Sequence, residues 1–465
     1  MKTIFKTTLE KDSMEEKYEE CGVVGIYSKL GKSVAPLLYR ALVSLQHRGQ
    51  DATGFAVYDK EEERIIERKG PGLAGSVFKD EDLELQGTIG VGHTRYPTIG
   101  SCSEGNVTPT VYDGIAVSHN GHIANYDVLK KELEKDYKFT STVDSEPIAY
   151  YLHREKDVEK AVKTIMERAE GAFSDVAICH DKLIGFRDRF GIRPLVWGEN
   201  EDFIMFASES VALDINNIEH KGDIHGGELV VVDNARLERV QIEKEDPHYC
   251  MFEYVYFSRP DSVINGRNVM LVRKLLGEEL AKESPASADV VIPVPDTSRT
   301  AAMAYAKTIN AEYDEGLIKN RYIMRTFIMP TQEKRRDAVK LKLNAVREIV
   351  EGKSVVLIDD SIVRGTTMKE IVQLVRNAGA KEVHVRITSP QIKAPCFYGV
   401  DMPTFKELIG NKKNTGEVEK YIGADSLAHL SLEGLKRAIG LPVCDACLTG
   451  KYHSEYVEKL AGAAK

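Results

Sequence analysis

Apolar positions along this chain follow two rhythms. From residue 21 to about 245, short apolar or alternating runs are separated by glycine-rich turns. "VVGIYS", "GTIGVGH", "GIAVSHNG", "DVAICHDKLIGFR" and "GELVVVDN" read as strands. In "VAPLLYRALVSLQ" the residues Leu37, Leu38, Ala41, Leu42 and Leu45 fall on one helical face, which predicts a helix packed on a sheet. "DSEPIAYYLHRE" and "VEKAVKTIMERAEG" predict two more helices. Many strands with helices in blocks point to a layered α+β domain.

After about residue 265 the rhythm changes. The apolar run in "ADVVIPVPD" precedes a helical "TSRTAAMAYAKTI", and "KSVVLIDDS" precedes "TTMKEIVQLVRNAG", which leads into the strand-like "EVHVRITSP". Strand and helix in alternation predict a parallel sheet with crossover helices. The expected division is therefore a first domain over 21–249 and a second over 250–465, with the boundary somewhere in 245–265.

Composition narrows the picture without changing it. The chain has 465 residues, 29% of them charged and 42% hydrophobic, which is the profile of a globular protein with two sizeable cores. A formal charge of −9 argues against a broad basic surface for nucleic acid. No apolar run approaches the ~20 residues of a membrane span. Residues 1–20 mix Lys and Glu and lack the apolar centre of a secretory signal, so the expected compartment is the cytoplasm. Seven cysteines at irregular spacing, in a reducing setting, point to catalysis or metal binding rather than to a disulfide framework.

The richest stretch of the second half is "SVVLIDDSIVRGTTMKE". Val355 to Ile358 form a buried strand, and Asp359 and Asp360 emerge at its C-terminal end, where parallel sheets bind ligands. Ser361 to Thr367 then form a short loop into a helix. Its backbone N–H groups, the Thr366 and Thr367 hydroxyls and the helix dipole make an anion cradle, and Gly365 supplies backbone freedom. Two carboxylates beside a phosphate cradle would repel the phosphate, unless they hold sugar hydroxyls or Mg²⁺. The plainer alternative is a solvated strand end followed by a helix cap.

This string resembles the phosphoribosyl pyrophosphate (PRPP) motif of type I phosphoribosyltransferases. The resemblance implies that Asp359 and Asp360 meet the ribose hydroxyls and the metal. It implies that Ser361, Val363, Arg364, Gly365, Thr366 and Thr367 hold the 5-phosphate. "PVPDTS" resembles the segment that approaches pyrophosphate and Mg²⁺, making Thr297 a further metal candidate, and "RTFIMPTQEKRR" resembles a loop that closes over PRPP and excludes water.

In the first half attention falls on Cys21. A cysteine at a free N-terminus has its own amine as a nearby base, and that amine exists only if the Glu20–Cys21 peptide is cut. "CGVVGI", "LQHRGQDATG", "GHTRYPT", "SHNGHIANY", "TVDSEPI" and "RDRFGIRPL" together resemble glutamine amidotransferases of the N-terminal-nucleophile class. That resemblance implies a four-layer αββα glutaminase domain followed by an α/β type I phosphoribosyltransferase domain, with residues 1–20 removed as a propeptide. Cys21 would attack the glutamine amide, with Asn120 and the Gly121 N–H stabilising the oxyanion. Arg95 would bind the α-carboxylate and Asp144 the α-ammonium. Taken one at a time, Arg95 could be a surface ion pair, Asn120–Gly121 a hairpin turn and Asp144 a helix N-cap. Pro97 and the pair Arg189–Phe190 depart from the family pattern, without removing a named catalytic group.

The fusion of both halves resembles the glutamine-dependent PRPP amidotransferase family. It implies ammonia released from glutamine, passed through a shielded channel to C1 of PRPP, and 5-phosphoribosylamine formed at the head of purine synthesis. It also implies Mg²⁺, a homotetramer and inhibition by purine nucleotides, for which Lys340, Lys342 and Arg364 are candidate contacts. Cys250, Cys396, Cys444 and Cys447 match the iron–sulfur ligands of one subgroup, implying one [4Fe–4S] cluster of structural role. The Cys-x-x-Cys spacing of Cys444 and Cys447 alone also fits zinc, and plain buried thiols are the third alternative. Cys102 and Cys179 read as ordinary small hydrophobes. Two competing readings are a glutaminase coupled to a different sugar phosphate and a PRPP-sensing regulator that has lost catalysis.

Overall fold

The computed structural model describes residues 21–96, 104–320, 342–402 and 404–464. Cys102, Pro97, Lys340, the 1–20 segment and "RTFIMPTQEKRR" lie outside them. The described chain divides into two compact units.

One unit holds residues up to Val272 together with 395–402 and 439–464. Two antiparallel sheets lie at its centre. The first runs in the order Glu219–Asp223, Val196–Glu199, Phe203–Ala207, Gly22–Ser28, Ile89–Arg95, Ala52–Asp59, Arg64–Pro71. The second runs Arg236–Gln241, Glu228–Asp233, Lys182–Arg187, Gly171–Cys179, Ile115–Ile123, Thr110–Tyr112. Val23, Val91 and Phe206 of the first sheet and Ala116, Val176 and Leu183 of the second share one dry core, so the sheets pack face to face. The far face of the second sheet is covered by Glu146–Arg154 and Val158–Arg168, through Ile148, Leu152, Val162 and Ile165. The helix Ala35–Ser44 covers the first sheet through Leu38 and Leu42, which lie over Gly90 and Gly92. Helix, sheet, sheet and helix give the expected four αββα layers.

The other unit comprises Arg273–Ala394 and the described residues of 403–438. Its sheet is parallel throughout, in the order Glu312–Tyr313, Val290–Pro293, Ser354–Asp359, Glu382–Ile387, Ser426–His429. Val355 and Leu357 on the central strand pack with Ile371, Val372 and Val375 of the helix Thr366–Asn377. The continuous apolar runs in these strands follow from burial on both faces.

Two differences from the pattern reading have physical causes. "DVAICHDKLIGFR" is a hairpin, Gly171–Cys179 and Lys182–Arg187, turning at His180 with φ +56°. A two-residue turn without glycine leaves little mark on apolar periodicity. The division between units falls at Val272 rather than near 249, and two later segments join the first unit. Glu253 explains the first part of this: it is buried and takes two hydrogen bonds from Arg48, at 2.7 and 2.9 Å. A carboxylate held that way keeps its segment with the charge that satisfies it.

Candidate active site

In the first unit the strand Gly22–Ser28 begins one residue after Cys21 and pairs antiparallel with Ile89–Arg95, Gly22 opposite Thr94. This register brings Cys21 beside Arg95 and Tyr96, and the Cys21 thiol donates to the Tyr96 carbonyl at 3.6 Å. Arg48 Nε donates to the Cys21 carbonyl at 3.1 Å, while its other nitrogens bind Glu209 and Glu253. Glu209 also accepts from the Ser262 hydroxyl at 2.6 Å and the Arg259 N–H at 2.9 Å. The backbone of Cys21 is thus held by a buried ion network.

A small cavity opens on the sulfur, lined by Cys21, Arg95, Tyr96, His119, Gly121 and Asp144, with His93, Thr108 and Ser145 completing its wall. The strand Ile115–Ile123 contributes His119 and Gly121, and the approach to the helix Glu146–Arg154 contributes Asp144. Gly121 has φ +154°, and a Cβ there would stand 2.0 Å from the Ala172 carbonyl oxygen, so no other residue fits this backbone. Beside it Asn120 is buried, and its Nδ2 has no hydrogen-bond partner among the described residues. An unsatisfied buried donor is the expected resting state of an oxyanion site.

Electrostatics separates the groups. Burial pushes the Cys21 thiol up, against the pull of Arg95, which favours the thiol over the thiolate. Burial would raise Asp144 as well, but His119 beside it and the Ile123 N–H hold its carboxyl well below the usual range. Burial keeps His93 neutral, with Arg95 adding to the effect, and its Nδ1 meets the Thr108 hydroxyl.

The second unit carries a different site. The strand Ser354–Asp359 ends in Asp359 and Asp360, and Gly365 caps the helix Thr366–Asn377 in the left-handed conformation, φ +76°. Thr297 and Ser361 donate to the two oxygens of Asp360, each at 2.5 Å, and Ser298 donates to Asp359 at 3.3 Å. Burial raises the Asp360 carboxyl, while Ser361, Thr297 and Arg273 pull it back down. Thr366 is exposed and Thr367 half-buried at the helix start, where the N-cap residue, Gly365, has no side chain of its own to cap the backbone N–H groups. Val363 is fully buried, so what it offers a ligand is backbone. Arg364 holds Glu407 at 3.0 Å, and Lys342 is depressed by burial.

Four thiols gather in the first unit. Cys250 and Cys444 stand opposite each other in a short parallel pair, Tyr249–Cys250 with Val443–Cys444, and Cys447 follows on the turn Ala446–Thr449. Cys396 accepts from the Tyr398 N–H at 3.2 Å. Burial and then Cys396, Cys444 and Cys250 push Cys447 up, and burial with Cys396 raises Cys444 to about 12. Among the described residues no group of three or more His, Cys, Asp or Glu is arranged to hold a single metal ion.

Comparison with known proteins now has a geometry to meet. A glutamine amidotransferase domain model matches residues 95–214 and a phosphoribosyl transferase domain model matches 264–389. The amidophosphoribosyltransferase of Methanothermobacter thermautotrophicus is 46% identical over 452 residues, covering 94% of this chain and 95% of that protein. The chain belongs to the amidophosphoribosyltransferase family. The amidophosphoribosyltransferase of Methanocaldococcus jannaschii is also 46% identical, over 95% of this chain and 99% of its own. A solved glutamine PRPP amidotransferase from B. subtilis, complexed with ADP and GMP, shares 40% identity at a TM-score of 0.87, covering 94% of this chain and 98% of that one. The reaction of the amidophosphoribosyltransferase family is therefore the reaction of this chain: a glutamine-dependent pentosyl transfer that forms 5-phosphoribosylamine from PRPP, the first step of purine biosynthesis.

Within this amidophosphoribosyltransferase framework the fold brings Cys21, Arg95, Gly121 and Asp144 to one cavity, and Thr297, Asp359 and Asp360 to one strand end. Several participants were passed over in the sequence: His119, Asp175, Arg48, Glu209 and Glu253. The signal for Asp175 lay in "FSDVAIC", a lone carboxylate inside an apolar strand, which must have a buried partner.

Proposed function

We propose that Cys21 becomes the nucleophile once residues 1–20 are removed, its freed amine serving as the base that takes the thiol proton. The Cys21 sulfur then adds to the side-chain amide carbon of glutamine. The oxyanion is met by Asn120 Nδ2 and the Gly121 N–H, the amine returns the proton to the leaving nitrogen, and ammonia departs. Water hydrolyses the thioester to glutamate. Arg95 holds the α-carboxylate and Asp144 the α-ammonium. The observation that carries this reading is the single cavity shared by Cys21, Arg95, Gly121 and Asp144, residues spread over more than a hundred positions of sequence.

At the second site Asp359 and Asp360 hold the ribose hydroxyls of PRPP, and the backbone from Ser361 to Thr367 wraps the 5-phosphate. Ammonia attacks C1, pyrophosphate leaves and a proton is lost. Two adjacent carboxylates with the Thr297 hydroxyl suit a hard cation with oxygen ligands. Mg²⁺, when bound, supplies the positive charge that offsets the departing pyrophosphate. Arg364, Lys340 and Lys342 are proposed contacts for inhibitory purine nucleotides, a reading supported by the ADP and GMP in the B. subtilis relative.

The four thiols are proposed to bind one [4Fe–4S] cluster. A four-iron cluster holds its thiolates apart by the width of its own body, whereas a single zinc draws all of its ligands to ~2.3 Å. What supports four thiolate ligands is that Cys250, Cys396 and Cys444 are all electrostatic neighbours of Cys447, with Cys250 opposite Cys444 on paired strands. The cluster's role there is structural, joining three separate segments of the first unit. The proposal extends to a cytoplasmic homotetramer.

The test is Cys21→Ala beside the parent protein, with intact mass recorded for both. The parent should begin at Cys21. The variant should lose glutamine-dependent 5-phosphoribosylamine synthesis by about 10³-fold or more while keeping ammonia-dependent synthesis. Retained glutamine-dependent activity in the variant sinks the assignment.

A further inference from the structure

The cavity wall contains a buried charge trio of which the proposed mechanism uses only Asp144. His119 and Asp175 stand directly opposite each other on paired strands, and their Nδ1 and Oδ1 atoms are 2.8 Å apart. His119 is 4% exposed and Asp175 is fully buried. The other ring nitrogen, Nε2, lies 3.5 Å from Asp144 Oδ2 and makes no hydrogen bond among the described residues. Asp144 is further steadied by the Ile123 N–H at 3.1 Å.

A cysteine, a histidine and a carboxylate in one cavity invite a triad reading, with His119 as the base for Cys21. Three observations oppose it. The Cys21 thiol donates to the Tyr96 carbonyl and not to an imidazole. The His119 nitrogen left over from Asp175 faces Asp144. An imidazole between two carboxylates is favoured in its protonated form: burial alone would lower His119, yet Asp175 and Asp144 hold it well above its ordinary value. An imidazolium has no lone pair with which to take the thiol proton.

The charge count explains what it does instead. Asp144, His119 and Asp175 sum to −1, which one substrate ammonium neutralises. The neighbouring groups leave that balance intact: His122 and His93 are kept neutral by burial, and Arg95 is matched by the substrate's carboxylate. Burial raises the Asp175 carboxyl against the pull of His119, so without the imidazolium the two buried carboxylates would repel each other and the pair would take up a proton.

We propose that His119, clamped by Asp175, is the positioning residue that orients and charge-balances Asp144 for the α-ammonium of glutamine. This inference rests on the assignment of Asp144 made above, and its test separates the two. The readout is the ratio of kcat/KM for glutamine to that for glutaramate, the same amide without the α-amino group. His119→Gln should lower this ratio about tenfold or more, through a raised glutamine KM, and leave glutaramate hydrolysis within about threefold of the parent. Ammonia-dependent synthesis reports that the chain is folded. If His119→Gln does not fold, Asp175→Asn, which keeps the side-chain shape, supplies the same measurement.

Asp144→Asn is run alongside. A collapsed ratio in Asp144→Asn with an unchanged ratio in His119→Gln overturns the positioning role and leaves the ammonium site standing. An unchanged ratio in Asp144→Asn overturns both. Equal losses toward glutamine and glutaramate in His119→Gln overturn the positioning role in favour of proton transfer or a general structural defect.

Discussion

The two proposed catalytic centres are built on different plans. In the amide site, Arg95, His119 and Asp144 are each less than a tenth exposed, and they reach the cavity from separate strands and a helix start. In the proposed PRPP site most of the groups follow one another along a single strand, loop and helix, from Asp359 to the exposed Thr366, with Thr297 and Ser298 joining them from one other segment. A contiguous cradle presents its backbone N–H groups to a charged ligand from neighbouring positions of one loop. A buried one must balance charges before the substrate arrives, because an uncompensated ion in such a place costs several kcal/mol. On this reading the amide site carries its own imidazolium, whereas the PRPP site adds backbone N–H groups and hydroxyls to the Asp359–Asp360 pair and its cation.

The strongest break in this comparison comes from Asp360→Asn. Asp360 receives the Thr297 and Ser361 hydroxyls, and an amide in its place has one oxygen where two are needed. Glutamine-dependent and ammonia-dependent synthesis should both fall by about 10²-fold, the scale of losing one positioned electrostatic group. Steady-state rates with each nitrogen donor decide it. A loss confined to glutamine would mean that the two centres are not divided as described.

Gly121→Ala probes the other plan with a smaller effect. The added Cβ would stand 2.0 Å from the Ala172 carbonyl oxygen, on a strand whose neighbour carries Asp175, so the backbone must shift where the oxyanion forms. The expected result is a fall of about 10²-fold in glutamine turnover. It should come with about 2 kcal/mol of lost stability, read by denaturant unfolding. Ammonia-dependent synthesis should persist. An unchanged glutamine kcat would remove the Gly121 N–H from the mechanism.

The same contrast decides what could be read before the fold was known. The strand, loop and helix of the proposed PRPP cradle were legible because its parts are adjacent in the chain, so "LIDDSIVRGTT" displays strand, carboxylates and loop in a single view. The parallel sheet was legible for a related reason, since strands buried on both faces are continuously apolar. In the amide site, Cys21, Arg95, Asn120, Gly121 and Asp144 were reached through motif resemblance. The residues that charge-balance or anchor them were not, because they act through cross-strand register and burial. His119 sits inside a motif already singled out, and only its position opposite Asp175 gives it a function. Glu253 lies past the expected domain boundary, and only its hydrogen bonds to Arg48 place its segment with the first unit.

The smallest predicted effects sharpen the comparison within the cysteines themselves. Cys179 and Cys447 are both buried, and burial raises both thiols, Cys179 to about 12. They differ in their surroundings: Cys179 faces the apolar core beneath the helices 146–154 and 158–168, whereas Cys447 has three other thiols as electrostatic neighbours. Cys447→Ser, purified without oxygen, should lose bound iron and its visible absorbance, and its thermal transition should fall well below that of the parent. Cys179→Ala removes only a packed sulfur, so it should cost about 1 kcal/mol and leave iron content and both activities unchanged. Equal iron content in the two variants would reduce Cys447 to the same standing as Cys179, a small apolar residue whose acidity is set by burial alone.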